Sequence, residues 1–178
     1  MVVWFIAGSL VAVSVVFDSP SLDHRFVAAG AVLPVAEGLV GGPWLLHTLV
    51  AGVAVLAVVM LLTRGRRPGR QRWLGVPIGM FIHLVLDGTW TDTGLFWWPV
   101  AGMDELGGSV VPEFDRLPGT LLLEALGLLV GAWAWRRFGM SDPLNRRRFW
   151  SEGRLVGIAG RAGSSISSST IAAANRPH

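Results

Sequence analysis

Residues 43–63, PWLLHTLVAGVAVLAVVMLLT, decide the fold class of this chain. The run carries no Asp, Glu, Lys or Arg, and 21 residues suffice to cross a hydrocarbon core of about 30 Å. Pro43 suits the first turn of a helix, where its missing N–H costs nothing. This is the pattern of a transmembrane helix with one polar intruder, His47.

Working outward, the same pattern recurs. Residues 2–17 form an apolar run that predicts a first helix; the absence of a basic leader and of a small-x-small cleavage pattern favours a retained helix over a signal peptide. Residues 18–25, DSPSLDHR, read as a polar turn. Residues 26–42 are apolar but contain Pro34, Glu37 and four glycines, which predicts a re-entrant or interfacial segment rather than a full span. Residues 73–90 and 118–135 predict two further membrane helices, separated by a long acidic loop over 91–117. The expected fold is therefore all-α: an integral membrane helical bundle of about four transmembrane helices within residues 1–140. Residues 141–178 are basic, then Ser-rich, and are expected to form a disordered cytoplasmic tail.

Composition supports that class. The chain is 52% hydrophobic and 15% charged, with a mean hydropathy of +0.53, which is too apolar for an ordinary soluble domain. Cysteine is absent, which excludes disulfides and thiolate chemistry. All fifteen basic residues are arginine, and thirteen of them lie within 64–72 or after residue 135. The positive-inside rule then predicts a multi-pass protein of the inner or plasma membrane with both termini cytoplasmic. The arginines read as orientation and contact with membrane lipids, and no nucleic-acid partner is expected.

The ionisable residues inside the apolar runs carry the functional reading. His83 and Asp87 are four apart and share a helix face. At about 1.5 Å per residue, His47, His83, Asp87 and Glu124 all fall within roughly 10 Å of the outer ends of their helices. Asp23 and His24 sit in the loop expected on that same side. Three imidazoles and two carboxylates, at His24, His47, His83, Asp23 and Asp87, suit zinc, with manganese or iron as alternatives. A metal held there would activate water for ester or phosphoester hydrolysis, with Asp87 and Glu124 as candidate catalytic groups. The competing class is a non-catalytic metal-binding or envelope-assembly membrane protein.

Three blocks resemble a known family. Pro20-Ser21-Leu22-Asp23-His24, then Leu46-His47-Thr48, then His83, Asp87, Thr91 and Gly94 with Trp97-Trp98-Pro99, resemble the YdjM/DUF457 family of membrane-bound metal-dependent hydrolases. The resemblance covers about residues 18–100. It departs at Ser21, where the family has an acidic residue, and at Gly42-Pro43-Trp44, where the family has His-Arg-Gly. The His83–Asp87 element is also similar to that of helical zinc phospholipase C and P1-type nucleases. The resemblance implies a metal-dependent hydrolase acting at the outer membrane face on a phosphoester or lipid-like substrate.

Overall fold

A computed structural model describes residues 1–17, 22–39, 44–103, 106 and 118–155. The elements in order are α1 (Val2–Val16), α2 (His24–Leu39), a 3₁₀ turn (Leu45–His47), α3 (Leu49–Leu62), α4 (Arg67–Trp73) and α5 (Gly75–Asp87). A second 3₁₀ turn (Thr89–Thr91), α6 (Thr93–Phe96), α7 (Gly119–Arg137) and α8 (Pro143–Glu152) follow. No strand occurs among the described residues, so the all-α expectation holds.

Glycine sets how the helices meet. Gly75 and Gly79 lie one turn apart on α5, and Gly30 answers them from α2. A Cβ built on Gly79 would stand 2.1 Å from the Val27 carbonyl oxygen, and one on Gly30 would stand 2.0 Å from that of Val76. Only hydrogen fits at either point, so the two backbones touch directly, as in small-xxx-small helix pairs. Gly75 faces Asp23 and Phe26, and Gly79 faces Val27 and Ala31. The contacts advance together along both chains, so α2 and α5 run parallel. α1 runs antiparallel to them: Phe5 packs with Ala31, Val35 and Leu86, while Val13 packs with Leu22, Val27 and Ile78. α7 runs parallel to α1, with Gly127 against Val3 and Trp4, and Gly131 against Ala7.

Residues 26–42 were expected to break up, but as far as Leu39 they form one continuous helix: α2 runs the length of the bundle beside α5, with Pro34 inside it. The local sequence hid this because the glycine contacts that hold α2 against α5 are long-range. One extra traverse changes the parity of the chain. The start of α1 now shares an end with the close of α2 and α5, and α4 and α8 lie at the other end. Met1 and the last described residues, 153–155, therefore lie at opposite ends of the bundle. The expected tail is also corrected at its start, because 143–152 is the helix α8, with Asp142 capping the Leu144 amide. Residues 156–178 lie outside the described residues.

Among the described residues, no helix is long and apolar enough to cross a membrane. α1, α2, α3 and α5 contain 15, 16, 14 and 13 residues, or about 20–24 Å of helix. The apolar runs are longer than the helices they produce. In the 43–63 run, Trp44 adopts φ 62, His47 ends a 3₁₀ turn, and Thr48 caps α3 by accepting from the Ala51 amide at 3.1 Å. The helix therefore starts only at Leu49.

Candidate metal centre

His83 lies on the inner face of α5 and is fully buried. Its Nδ1 is 2.8 Å from the Ala31 carbonyl oxygen on α2. A carbonyl only accepts, so Nδ1 carries the proton and Nε2 is the nitrogen that a metal would take. Phe5 of α1 holds the other side of the imidazole, with ring centroids 4.0 Å apart. Three helices thus fix one ring.

His47 reaches the same place from the 3₁₀ turn. Its ring is buried and stands edge-on to His83 at 5.4 Å between centroids. The turn is built by Glu37, at the end of α2. Its carboxylate accepts from the Leu45 and Leu46 amides at 2.8 and 2.7 Å, and its Oε2 lies 3.8 Å from His47 Nδ1. Trp44 packs edge-on against His47 at 5.6 Å, from a left-handed backbone conformation that a bulky side chain rarely adopts. Such backbone outliers cluster where a site must be held in one geometry.

Asp87 is the last residue of α5. Gly88 follows at φ 77, a left-handed conformation that only glycine adopts without a Cβ penalty. The chain turns there and brings Thr89 back, whose buried hydroxyl donates to Asp87 Oδ2 at 2.5 Å. One carboxylate oxygen is thereby fixed by a neighbour.

His47, His83 and Asp87 each offer a ligand atom, and those atoms lie within 4.8 Å of one another. All three residues are buried. Metal–ligand bonds near 2 Å would set tetrahedral ligand atoms about 3.3 Å apart, so the widest separation in the triad would contract by up to about 1.5 Å on binding. Two imidazoles and one carboxylate suit zinc, and three protein ligands are the usual complement of a catalytic zinc site. The His83 imidazole has an oxygen acceptor in the Ala31 carbonyl, as ligating histidines generally do, while Glu37 Oε2 stands 3.8 Å from His47 Nδ1, outside hydrogen-bond range.

The remaining expected ligands lie elsewhere. Asp23 is eight residues before Ala31 on the α2 segment, about 12 Å down the bundle. Its buried carboxylate accepts from Arg25 Nη2 at 2.7 Å and Nε at 3.0 Å, and from Arg72 Nε at 3.2 Å. Burial alone would raise the Asp23 carboxyl, but hydrogen bonds and charge from Arg25, with Arg72 adding, outweigh it and hold the group below its ordinary value. The His24 amide and Nδ1 both reach the Gly153 carbonyl, at 2.8 and 3.0 Å, and the Arg25 guanidinium donates to that of Trp150. Asp23 and His24 therefore clasp the end of α8 and are not brought to the triad. The parity change described above is the cause.

Glu124 is also displaced from its expected role. Its carboxylate accepts from the Val3 and Trp4 amides at 3.2 and 3.4 Å, closing the open N–H groups at the start of α1. It lies at the triad's end of the bundle, on the α7 side of α1. Thr91 donates to the Gly88 carbonyl at 2.7 Å and shapes the turn; Gly94 lies in α6.

Sequence reasoning missed Glu37, Thr89 and Phe5. Glu37 was detectable as a carboxylate inside an apolar run. Thr89 was detectable as a hydroxyl two residues beyond Asp87. Phe5 carries no such mark, because an aromatic in an apolar helix is ordinary. Comparison with known proteins adds no assignment: no family model, no curated protein and no solved structure matches this chain.

Proposed function

We propose that this protein is a membrane-embedded, metal-dependent hydrolase acting on a phosphoester or lipid-like substrate at the outer membrane face. The observation that carries the reading is the buried convergence of His47, His83 and Asp87 within 4.8 Å. The likeness of the His83–Asp87 block to the YdjM/DUF457 hydrolases supports the same chemistry. His47, His83 and Asp87 would hold a divalent cation, zinc in the first instance, which when bound would supply Lewis acidity and activate water near neutral pH. His83 is held in one tautomer by Ala31, Asp87 is oriented by Thr89, and Glu37 steadies His47 and the turn that carries it. Phe5 packs on the His83 ring and all three triad residues are buried, which strengthens every charge interaction at the site.

The membrane setting rests on the outward faces. Val58, Leu61 and Leu62 on α3 and Leu121, Leu122, Leu128 and Leu129 on α7 are exposed, and apolar surface of that extent calls for a covering. Helices shorter than the hydrocarbon core are accommodated by local thinning at a modest cost per ångström. Arg64, Arg66, Arg70 and Arg72 lie at the end opposite the triad, so the positive-inside rule turns the triad outward.

The test is metal analysis of the detergent-purified protein, handled without chelator, beside His83→Ala and Asp87→Asn. Near-stoichiometric metal in the wild type and its loss in both variants is expected. A metal-free wild type sinks the proposal.

A further inference from the structure

Beside the triad lies an apolar groove lined by Leu49, Phe81, Leu84, Val85, Trp90 and Phe96, with a volume of about 380 Å³. That size is ordinary for a small-molecule site. No charged or hydrogen-bonding side chain lines it apart from the indole of Trp90. Its walls are built from the same elements as the triad. Leu49 follows His47 by two residues, Leu84 follows His83, and Val85 and Trp90 flank Asp87. Gly52 makes the space: Phe81 Cε1 lies 2.7 Å from where a Gly52 Cβ would stand, so the ring edge fits against α3 only because no side chain is there. Val85 and Trp90 are 67% and 57% exposed, so the groove opens to the outside of the bundle.

A sugar, nucleotide or peptide would lose its hydration in such a groove without replacement hydrogen bonds. A hydrocarbon tail loses nothing. We infer that the groove between α3 and α5 holds the hydrocarbon tail of an ester-linked amphiphile, with the polar linkage placed at His47, His83 and Asp87. This rests on the metal-hydrolase reading for the role of the triad, and it names the substrate class. Tail binding in the groove anchors the substrate, and the one-to-three-residue spacing between groove and triad sets where its linkage falls.

The experiment is photolabelling of the full chain in maltoside micelles, using sub-stoichiometric phosphatidylcholine with a diazirine at the end of one acyl chain. Adducts are mapped by mass spectrometry, with and without excess unlabelled lipid, and metal content is measured on the same samples. Saturable, competed labelling on the peptides carrying Leu49, Val85 and Trp90 is expected, several-fold above that at Leu122 and Leu129. Val85→Gln and Trp90→Ser, both at exposed positions, should lower groove labelling several-fold while leaving labelling at Leu122 and metal content unchanged. Uniform, uncompeted labelling over all exposed apolar residues overturns the inference. So do protein–protein adducts across the groove in place of lipid adducts. Groove labelling absent in a metal-loaded protein removes the tail site and leaves the metal centre standing. Groove labelling in a metal-free protein keeps the tail site and removes the hydrolase.

Discussion

Gly79 touches none of His47, His83 and Asp87, yet its replacement should disarm the candidate site they form. In Gly79→Ala the new Cβ would stand 2.1 Å from the Val27 carbonyl oxygen and 2.8 Å from the Ala31 nitrogen. Both are backbone atoms of α2, so no side chain can swing away. Restoring ordinary contact near 3.4 Å requires α2 and α5 to part by about 1.3 Å. His83 sits on α5 one turn beyond Gly79, and its orienting carbonyl, Ala31, is on α2. The 2.8 Å bond between them would stretch past about 3.2 Å, the usual limit for such a bond. Overpacking of this kind costs about 1–3 kcal/mol, equivalent to a melting shift of roughly 2–12 °C for a chain of this size. Loss of the partner that orients a ligating histidine weakens metal binding by about 10–100-fold. Gly131→Ala is the matched control. Its Cβ would meet only the Ala7 Cβ at 3.7 Å, so helix propensity alone should make it neutral or up to about 1 kcal/mol more stable. The assays are thermal unfolding in detergent and zinc titration with a competing chelator. If Gly79→Ala melts with the wild type and binds zinc as tightly, then the backbone contact does not position His83.

Thr89→Val removes the hydroxyl that orients Asp87 at nearly constant volume, and should weaken zinc by about 10–100-fold in the same titration. Glu124→Ala should cost about 1 kcal/mol through the open amides of α1, and metal content should stay at the wild-type level; a metal-free Glu124→Ala would restore that residue to the site. Asp23 has its carboxyl lowered in the folded state, so its stabilisation is present above the unfolded value of about 4 and is lost as pH falls through the folded one. Asp23→Asn should therefore melt below the wild type at pH 7, with the gap closing towards pH 3, and its metal content should be unchanged.

The arginines show what the charge pattern meant. Arg72, read from the sequence only as a mark of orientation, joins Arg25 on the Asp23 carboxylate and so ties the α4 corner to the start of α2. The Asp23–His24 pair looked like half of a metal site because both residue types are ligands. In the fold, both are spent on the clasp that seats α8. Residue type alone could not separate these outcomes, since a carboxylate beside two guanidiniums and a carboxylate beside a metal are the same letter.

The sequence by itself determined that the chain is helical, that His83 and Asp87 share one face of a helix, and that His47 lies at a matching depth. Those facts follow from local geometry: a helical period of 3.6 residues and a fixed rise along the axis. The tertiary structure alone decided which loops share an end. That choice turned on whether α2 traverses the bundle, and α2 does so because Gly30, Gly75 and Gly79 let two backbones meet. A contact between residues 46 to 52 positions apart leaves no trace in local periodicity. It nevertheless moves Asp23 and His24 away from the triad, draws Glu37 towards it, and supplies the Ala31 carbonyl that aims His83.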